Sequence, residues 1–237
     1  MRPPGMDSDL QVRRRQPEWM DDPQADPAVL KQSLRFIRRV NWLLGYTRST
    51  LHHLRLFSRR WRPGQRIEIV DLATGSADIP RAILRWADRR GFDLRIVGVE
   101  RHPAAAAQAR AVDPRLQIVQ ADALAAPFAD GAFDYAMTNM FLHHLDEPQV
   151  VALLRTMDRV ARRGVIAADL LRHRRALAWI KLLTVLANPM VRHDAPISVA
   201  QAFTQAEILA LRDRAGLSYA RYYRHFGHRF VLAGEKS

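Results

Sequence analysis

The 237-residue sequence contains no cysteine. Disulfide bonds, thiolate metal sites and a cysteine nucleophile are therefore excluded, and we expect a protein of a reducing cytoplasm. Long apolar runs are also missing. The longest, residues 176–191, is interrupted by a lysine, an asparagine and a proline and is too short to span a bilayer. The first 20 residues carry charges without an apolar segment behind them, so no secretory signal is expected.

Lysine is scarce although the chain is strongly basic. Only three of the 37 basic residues are lysine, the arginines are spread along the whole sequence, and the net charge is +13. Such a charge is typical of proteins that bind nucleic acid or an anionic surface. No basic cluster is interleaved with aromatic residues, as a platform for stacked bases would be. We therefore interpret the charge as a composition bias and do not expect nucleic acid as a partner.

The order of predicted elements indicates one α/β domain with helical additions. Residues 1–20 lack periodicity and predict a mobile arm, and residues 21–62 predict a lid of two amphipathic helices, the first capped by Asp26. From residue 63 to 237 strands and helices alternate, which predicts a mostly parallel sheet with helices on both faces and an antiparallel last strand. A helical insertion is expected at about residues 170–203. The seven predicted strands are 67–72, 94–99, 116–119, 133–138, 165–168, 217–223 and 229–233.

Two segments predict a cofactor site. An apolar strand ending at Asp71 runs into a turn of small residues, Ala73, Thr74 and Gly75, and then into a helix, so backbone N–H groups come close to a ligand. Glu100 closes the next strand, 25 residues after Gly75, where an acidic side chain accepts both ribose hydroxyls. Nicotinamide enzymes share that acid, but their G-x-G-x-x-G turn is absent. A cofactor without phosphates fits better.

A third segment completes the set. Residues 121–134 read ADALAAPFADGAFD, with Asp122 followed by Ala123 and a P-F-x-D-x-x-F-D stretch that leads into the fourth strand. With the segments in this order, residues 66–169 resemble the class I methyltransferases that depend on S-adenosylmethionine. The resemblance is strongest to the quinone-biosynthesis C-methyltransferases and related small-molecule methyltransferases. It implies a Rossmann-like fold and S-adenosylmethionine as the cofactor.

The resemblance also implies a role for individual residues. Those of the turn would contact the methionyl part of the cofactor, the acid after the second strand would hold the ribose, and the Asp-Ala pair would hold the adenine. A residue just past the fourth strand would lie near the sulfonium and the substrate mouth. The implied cofactor-binding residues are Asp71, Ala73, Thr74, Gly75, Glu100, Arg101, Asp122, Ala123 and Asn139. Alanine stands where the family usually has the first and third glycines of its turn.

Histidines are the candidate catalytic residues. The transferred methyl group is already activated on a positive sulfur, so the protein must mainly align the reactants and exclude water. A hydroxyl acceptor still has to lose a proton, for which a histidine is the natural base. His143 and His144 follow the fourth strand, and His193 lies in the insertion. A role in lining or capping the loop is the alternative for each, and no metal site is predicted.

The acceptor is predicted to be a small aromatic or lipophilic molecule of the phenol, quinone or polyketide type. Oxygen is preferred over a ring carbon as the methylated atom because of the histidine pair. C-methylation of such a ring, an RNA-binding protein or RNA methyltransferase that uses the basic surface, and a non-catalytic assembly partner are the alternatives, and a homodimer is compatible with the sequence. Apolar residues of the insertion are expected either to line the acceptor pocket or to pack on the core: Trp179, Ile180, Leu182, Leu183, Val185 and Leu186.

Overall fold

A computed structural model of the protein describes residues 10, 12–13, 15–22 and 24–236. The strands are β1 Arg66–Leu72, β2 Asp93–Val99, β3 Gln117–Val119, β4 Phe133–Asn139, β5 Ala161–Leu170, β6 Arg221–His225 and β7 Arg229–Glu235. The helices are α1 Pro27–Leu43, α2 Tyr46–Ser58, α3 Asp78–Asp88, α4 Pro103–Arg110, α5 Glu147–Val160, α6 Arg174–Leu183, α7 Pro189–Gln201 and α8 Gln205–Ala215. Short 3-10 helices lie at Trp19–Asp21, Ala123–Ala125 and Leu142–His144.

The strands form one seven-stranded sheet in the order β3-β2-β1-β4-β5-β7-β6. β1 to β5 pair in parallel, and β7 is antiparallel to both of its neighbours. Helices cover both faces, so the central strands are buried on both sides, and this explains their apolar sequences. The predicted fold class, a mostly parallel sheet with an antiparallel last strand, is confirmed.

Two predicted strands have different bounds in the structure. β5 is longer than residues 165–168 because it begins at the end of α5, where Arg162 donates two hydrogen bonds to the buried Asp134 on β4. β6 begins at Arg221 instead of residue 217, because the N–H of Ala220 donates to the carbonyl of Leu217 and closes a turn there. Both differences arise from contacts outside the periodic pattern of the strand.

The two N-terminal helices are joined by a sharp corner. Asp26 caps α1 by accepting hydrogen bonds from the next two free N–H groups, and Gly45 adopts a φ of +82°, which ends α1 and starts α2. The guanidinium of Arg229 lies over the ring of Tyr46, 3.4 Å from its centroid, and donates to the carbonyl of Leu44. The corner is thereby tied to the start of β7.

Helix α2 belongs to the core of the domain. Its residues Leu51, Leu54 and Phe57 are buried in one cluster with Ile67 and Ile69 of β1. The second helix of the predicted lid is therefore part of the core. That the two helices act as a lid over the site stays a prediction. Within the described part of the chain, no helix is long and apolar enough to cross a membrane.

The predicted insertion folds as α6 and α7 between β5 and α8. Asn188 caps α7, and its side chain also hydrogen-bonds with Ser33 of α1, so α1 packs against α7. After α7 the chain returns to the sheet through a single bridge between Leu171 and Phe203. A capping box formed by Thr204 and Glu207 starts α8.

Candidate active site

The predicted site residues gather at one edge of the sheet. Asp71 lies near the end of β1, Glu100 follows β2, and Asn139 is the last residue of β4. Because these strands are parallel and adjacent, their carboxyl ends open on the same side, where ligands of open α/β sheets bind. β5 adds Asp169 to this edge, one residue beyond the pairing of Asn139 with Ala168.

Asp71 is the centre of a buried hydrogen-bond network. It accepts from the Thr74 hydroxyl at 2.7 Å and from the Asn139 amide at 3.4 Å, and the Asn139 carbonyl oxygen accepts from the Thr50 hydroxyl of α2 at 2.6 Å. Burial raises the pKa of the Asp71 carboxyl to about 7, although the hydrogen bonds from Thr74 and Asn139 lower it. The structure therefore joins three predicted cofactor residues and adds Thr50, which the sequence analysis missed.

The turn after β1 adopts the left-handed conformation at three positions. Ala73, Gly75 and Ala77 have φ values of +60°, +56° and +56°. Glycine adopts this conformation without cost, whereas alanine is strained in it by about 1 kcal/mol. The backbone thus keeps the family's turn despite the two alanines. A Cβ at Gly75 would meet nothing within 4 Å, so the space above the turn is open.

Glu100 connects this turn to β2. One carboxylate oxygen accepts from the N–H of Gly75 at 2.8 Å, and the other accepts from the N–H of His102 at 2.8 Å. A carboxylate oxygen has two lone pairs, so each keeps acceptor capacity for a ligand hydroxyl. Arg101, the next residue, is exposed. The acid predicted to bind ribose is therefore fixed in place by the turn predicted to bind the methionyl part.

The predicted adenine pair lies beside this network and shares no hydrogen bond with it. Asp122 is exposed and caps the short 3-10 helix by accepting from the N–H of Leu124 at 2.9 Å. Ala123 is buried in the same cluster as Leu72 and Val99, the last residues of β1 and β2. The Asp122–Ala123 pair thus lies near the carboxyl ends of β1 and β2.

His143 is held by a carboxylate that the sequence analysis missed. Its Nδ1 lies 2.7 Å from one oxygen of Asp169, and its backbone N–H donates to the other oxygen at 2.9 Å. Both side chains are buried. Burial would raise the pKa of Asp169, but the charge and hydrogen bonds of His143 hold it below its usual value. Asp169 ends an apolar strand just as Asp71 does, and that pattern was the available signal.

His144 lies against His143, with ring centroids 4.2 Å apart. The buried Glu18 approaches both, and the ligand atoms of these three residues all lie within 4.8 Å of one another. One carboxylate and two imidazoles form a donor set that suits zinc or iron(II). Glu18 also accepts hydrogen bonds from Ser198 and Gln201 of α7. The cluster therefore also fastens the N-terminal segment to the insertion.

The segment before α1 crosses the histidine loop. The Arg13 guanidinium donates to the carbonyls of His143 and Leu145 at 2.9 and 2.6 Å and lies 3.9 Å from the ring centroid of Phe203. The sequence predicts a mobile arm over residues 1–20. Residues 1–9, 11 and 14 of this arm lie outside the described residues, so the prediction is not tested there. The described part brings positive charge and Glu18 next to the predicted catalytic pair.

His193 stands apart from the Asp71 network. Its Nδ1 is 2.7 Å from the buried Asp194 carboxylate, and its ring stacks on Trp19 at 4.0 Å. Asp194 also accepts hydrogen bonds from the N–H groups of Trp19 and Met20. These contacts place His193 between the N-terminal segment and the body of α7.

Both expectations, lining the acceptor pocket and packing on the core, are wrong for four of the six apolar residues of the insertion. They project into solvent on the outer side of α6 and the turn after it, because the helix packs on the domain through Ala176 and Leu177 instead. The four exposed residues are Trp179, Leu182, Val185 and Leu186. Ile180 and Leu183 are half-buried.

Comparisons with known proteins agree with this geometry. Residues 69–164 match a family model described as a methyltransferase domain. That stretch holds the turn, Glu100, the Asp122–Ala123 pair and the histidine loop. A search of curated proteins finds no match to the sequence.

Solved structures of methyltransferases share the fold. The plantazolicin methyltransferase BpumL, bound to a substrate analogue and S-adenosylhomocysteine, has a TM-score of 0.67 at 10% identity, with 92% of this chain and 93% of that chain covered. Human N-acetylserotonin methyltransferase, bound to S-adenosylmethionine, has a TM-score of 0.60 at 12% identity, with 88% and 56% covered. A predicted O-methyltransferase of Nostoc punctiforme has a TM-score of 0.57 at 16% identity, with 84% and 58% covered.

The chain thus spans little more than half the length of the human and Nostoc proteins, and almost the whole length of BpumL. At these identities the likeness concerns the fold, while the family match concerns residues 69–164. Residues 69–164 thus match a methyltransferase domain, and the fold of the chain is that of solved methyltransferases.

Proposed function

We propose that this protein transfers the methyl group of S-adenosylmethionine to an oxygen of a small aromatic or lipophilic acceptor of the phenol, quinone or polyketide type. The observation that carries the proposal is the buried pair of His143 and Asp169. It lies at the sheet edge where the predicted cofactor-binding residues end. A histidine held by a carboxylate beside that site is suited to take a proton from a hydroxyl group.

The described residues fit the cofactor. Asp71 is a buried carboxyl group with few local charges to satisfy it, which suits the ammonium group of a methionyl moiety. The open space at Gly75 lets a ligand lie against the backbone, and Glu100 keeps acceptor capacity for ribose hydroxyls. Asn139 borders Asp71 on the acceptor side. When bound, S-adenosylmethionine supplies a methyl group already activated on a positive sulfur.

His143 acts as the base in this proposal. In this proposal the Nδ1–H of His143 donates a hydrogen bond to Asp169. The other ring nitrogen, Nε2, then carries no proton while the ring is neutral. The acceptor hydroxyl would give its proton to this Nε2, and its oxygen would take the methyl group that S-adenosylmethionine supplies, with the bond between methyl carbon and sulfur broken and S-adenosylhomocysteine as the leaving product. Asp169 then stabilises the resulting imidazolium, because the two charges are opposite and buried together. The second hydrogen bond, from the backbone N–H of His143, keeps the carboxylate from rotating away.

The structural relatives support a small-molecule acceptor. Human N-acetylserotonin methyltransferase and the pyocyanin biosynthetic protein PhzM, which has a TM-score of 0.55 at 18% identity, both share the fold. The choice of oxygen over carbon rests on the histidine pair. Methylation of a ring carbon also requires proton removal, so the product decides between the two.

The test is a transfer assay with methyl-labelled S-adenosylmethionine and a panel of phenols, quinols and polyketide-like hydroxypyrones, read by NMR of the product. A methyl group on oxygen is expected. His143→Ala and Asp169→Asn should each lower kcat by about 10²–10⁴-fold with little change in KM, because both remove the oriented base.

His193→Ala is the matched control, because His193 is also paired with a buried carboxylate, Asp194, and stands apart from the Asp71 network. It should keep most of the activity. A methyl group on a ring carbon would overturn the choice of oxygen. Full activity of His143→Ala would remove the base and leave alignment alone as the source of catalysis.

A further inference from the structure

The outer face of α6 and of the turn after it is apolar. Trp179, Leu182, Val185 and Leu186 are 59%, 63%, 60% and 95% exposed. Trp179 and Leu182 are three residues apart and lie on one side of the helix, next to the exposed Ala178, while Val185 and Leu186 lie in the turn that follows. The four residues form one patch, which we call the α6 face.

The α6 face is not the face that holds the helix on the domain. Ala176 and Leu177 lie on the opposite side and are buried against Val199 of α7. A surface helix of a globular protein normally turns charged and polar residues outward. Here both sides of α6 are apolar, and a contiguous exposed apolar patch marks an interaction site more often than an inert surface.

The surroundings of the α6 face are basic. Arg174 and Arg175 are exposed at the start of the helix, and residues 173–188 contain no acidic residue. Gln32 of α1 reaches Asn188 just beyond the turn, and the exposed Lys31 and Arg35 lie within one helical turn of Gln32. The chain as a whole carries a net charge of +13. A tryptophan and aliphatic residues framed by cations complement an anionic bilayer surface.

We propose that the α6 face docks the protein on membranes that contain anionic phospholipids. Trp179, Leu182 and Leu186 enter the boundary between head groups and acyl chains, while the arginines meet lipid phosphates. The helix, Arg174–Leu183, is far too short to span a bilayer, so it lies along the surface. A second copy of the chain is the competing occupant, but the concentration of positive charge around the patch opposes such pairing.

Docking through this face has a consequence for the acceptor. α6 packs on α7, and α7 packs on the 3-10 helix that carries His143. The docked surface therefore belongs to the same insertion that covers the histidine loop. A lipophilic acceptor dissolved in the bilayer is then presented to the insertion directly; this step rests on the proposed function, whereas docking itself does not.

The experiment is co-sedimentation of the full chain with vesicles of phosphatidylcholine alone or mixed with phosphatidylglycerol. Strong binding to the anionic vesicles, weak binding to the neutral ones, and weakening in about 0.5 M salt are expected. Exchanging both Leu182 and Leu186 for serine should lower the partition coefficient about tenfold or more. Exchanging the same two leucines for methionine is the matched control, because the α6 face then stays apolar; the binding of this variant should be unchanged.

Two results would overturn the proposal. One is equal vesicle binding by the serine variant and the unchanged chain. The other is a dimer in analytical ultracentrifugation that the serine variant dissociates, which would assign the face to a second copy. Transfer to a water-soluble phenol should be unaffected in the serine variant. A chain that binds vesicles through this face without any transferase activity would contradict only the proposed function.

Discussion

Asp71 is a sensitive probe of the proposed cofactor site, because the fold penalises the charge that we expect the ammonium group of the cofactor to require. Burial raises the pKa of its carboxyl group from 3.8 to about 7, although hydrogen bonds from Thr74 and Asn139 lower it. The folded protein without cofactor thus binds this proton more tightly than the unfolded chain does. Its stability consequently falls as the pH rises from about 4 to about 7, and the penalty is complete above that range.

Exchanging Asp71 for asparagine removes the charge and keeps the shape. The rise of the Asp71 pKa from 3.8 to about 7 corresponds to a loss of about 4 kcal/mol in the free energy of unfolding once the carboxyl group is ionised, at about 1.4 kcal/mol for each pKa unit. An amide keeps one acceptor for Thr74 and must place a new donor, which offsets part of this gain. We expect D71N to be more stable than the unchanged protein by about 2 kcal/mol at about pH 8, and no more stable than it at about pH 5, where most of the charge penalty is absent.

Urea unfolding at the two pH values measures this difference. Asp122→Asn is the control, since Asp122 is an exposed carboxylate of the same proposed site, and its effect on stability should be small at both pH values. Calorimetry should show that D71N binds S-adenosylhomocysteine at least about tenfold more weakly, because a charge-assisted hydrogen bond is lost. A D71N protein that is no more stable at high pH and binds the ligand normally would refute the reasoning.

The remaining predictions concern the turn, the network and the metal. Ala73→Gly should raise the free energy of unfolding by about 1 kcal/mol, because glycine relieves the strain of the positive φ. Ala77→Gly should raise it less, because Ala77 is fully buried and its methyl group fills the core. Thermal melts of the two variants measure the difference. Glu100→Ala should weaken S-adenosylhomocysteine binding about ten- to a hundredfold, and an unchanged dissociation constant would mean that the ribose is held elsewhere. Thr50→Val should lower transfer activity by loosening Asn139, seen as a drop in kcat at nearly intact stability. The transfer should survive dialysis against EDTA; loss of activity and its return with zinc would assign the histidine cluster to a metal instead.

The sequence was sufficient for those parts of the site that follow strand ends. Asp71, Glu100 and Asn139 each stand where an apolar strand stops, and parallel strands bring such positions together. Asp169 obeys the same rule on β5. It was missed because no motif of the resembling family marks it, although it directly follows the predicted strand 165–168. Its pairing with His143 depends on β4 and β5 being neighbours, which the sequence pattern does not state.

The helical additions were harder to predict than the sheet. Their approximate bounds follow from periodicity, but the insertion was predicted as one helical segment and folds as two helices, α6 and α7. A capping box at Thr204 and Glu207 and the glycine at position 216 mark the two ends of α8. Which face of α6 is buried does not follow, because both faces are apolar and periodicity alone does not choose between them. The contact of Thr50 with Asn139 likewise depends on how α2 packs over β4.

Calorimetric titration of the purified chain with S-adenosylhomocysteine, and separately with NAD, tests the central claim most directly. The account predicts saturable binding of S-adenosylhomocysteine at one site, weakened in Asp71→Asn and in Glu100→Ala, and no response to NAD. Binding of NAD with no response to S-adenosylhomocysteine would contradict the assignment of the turn, of Glu100 and of the whole carboxyl edge of the sheet.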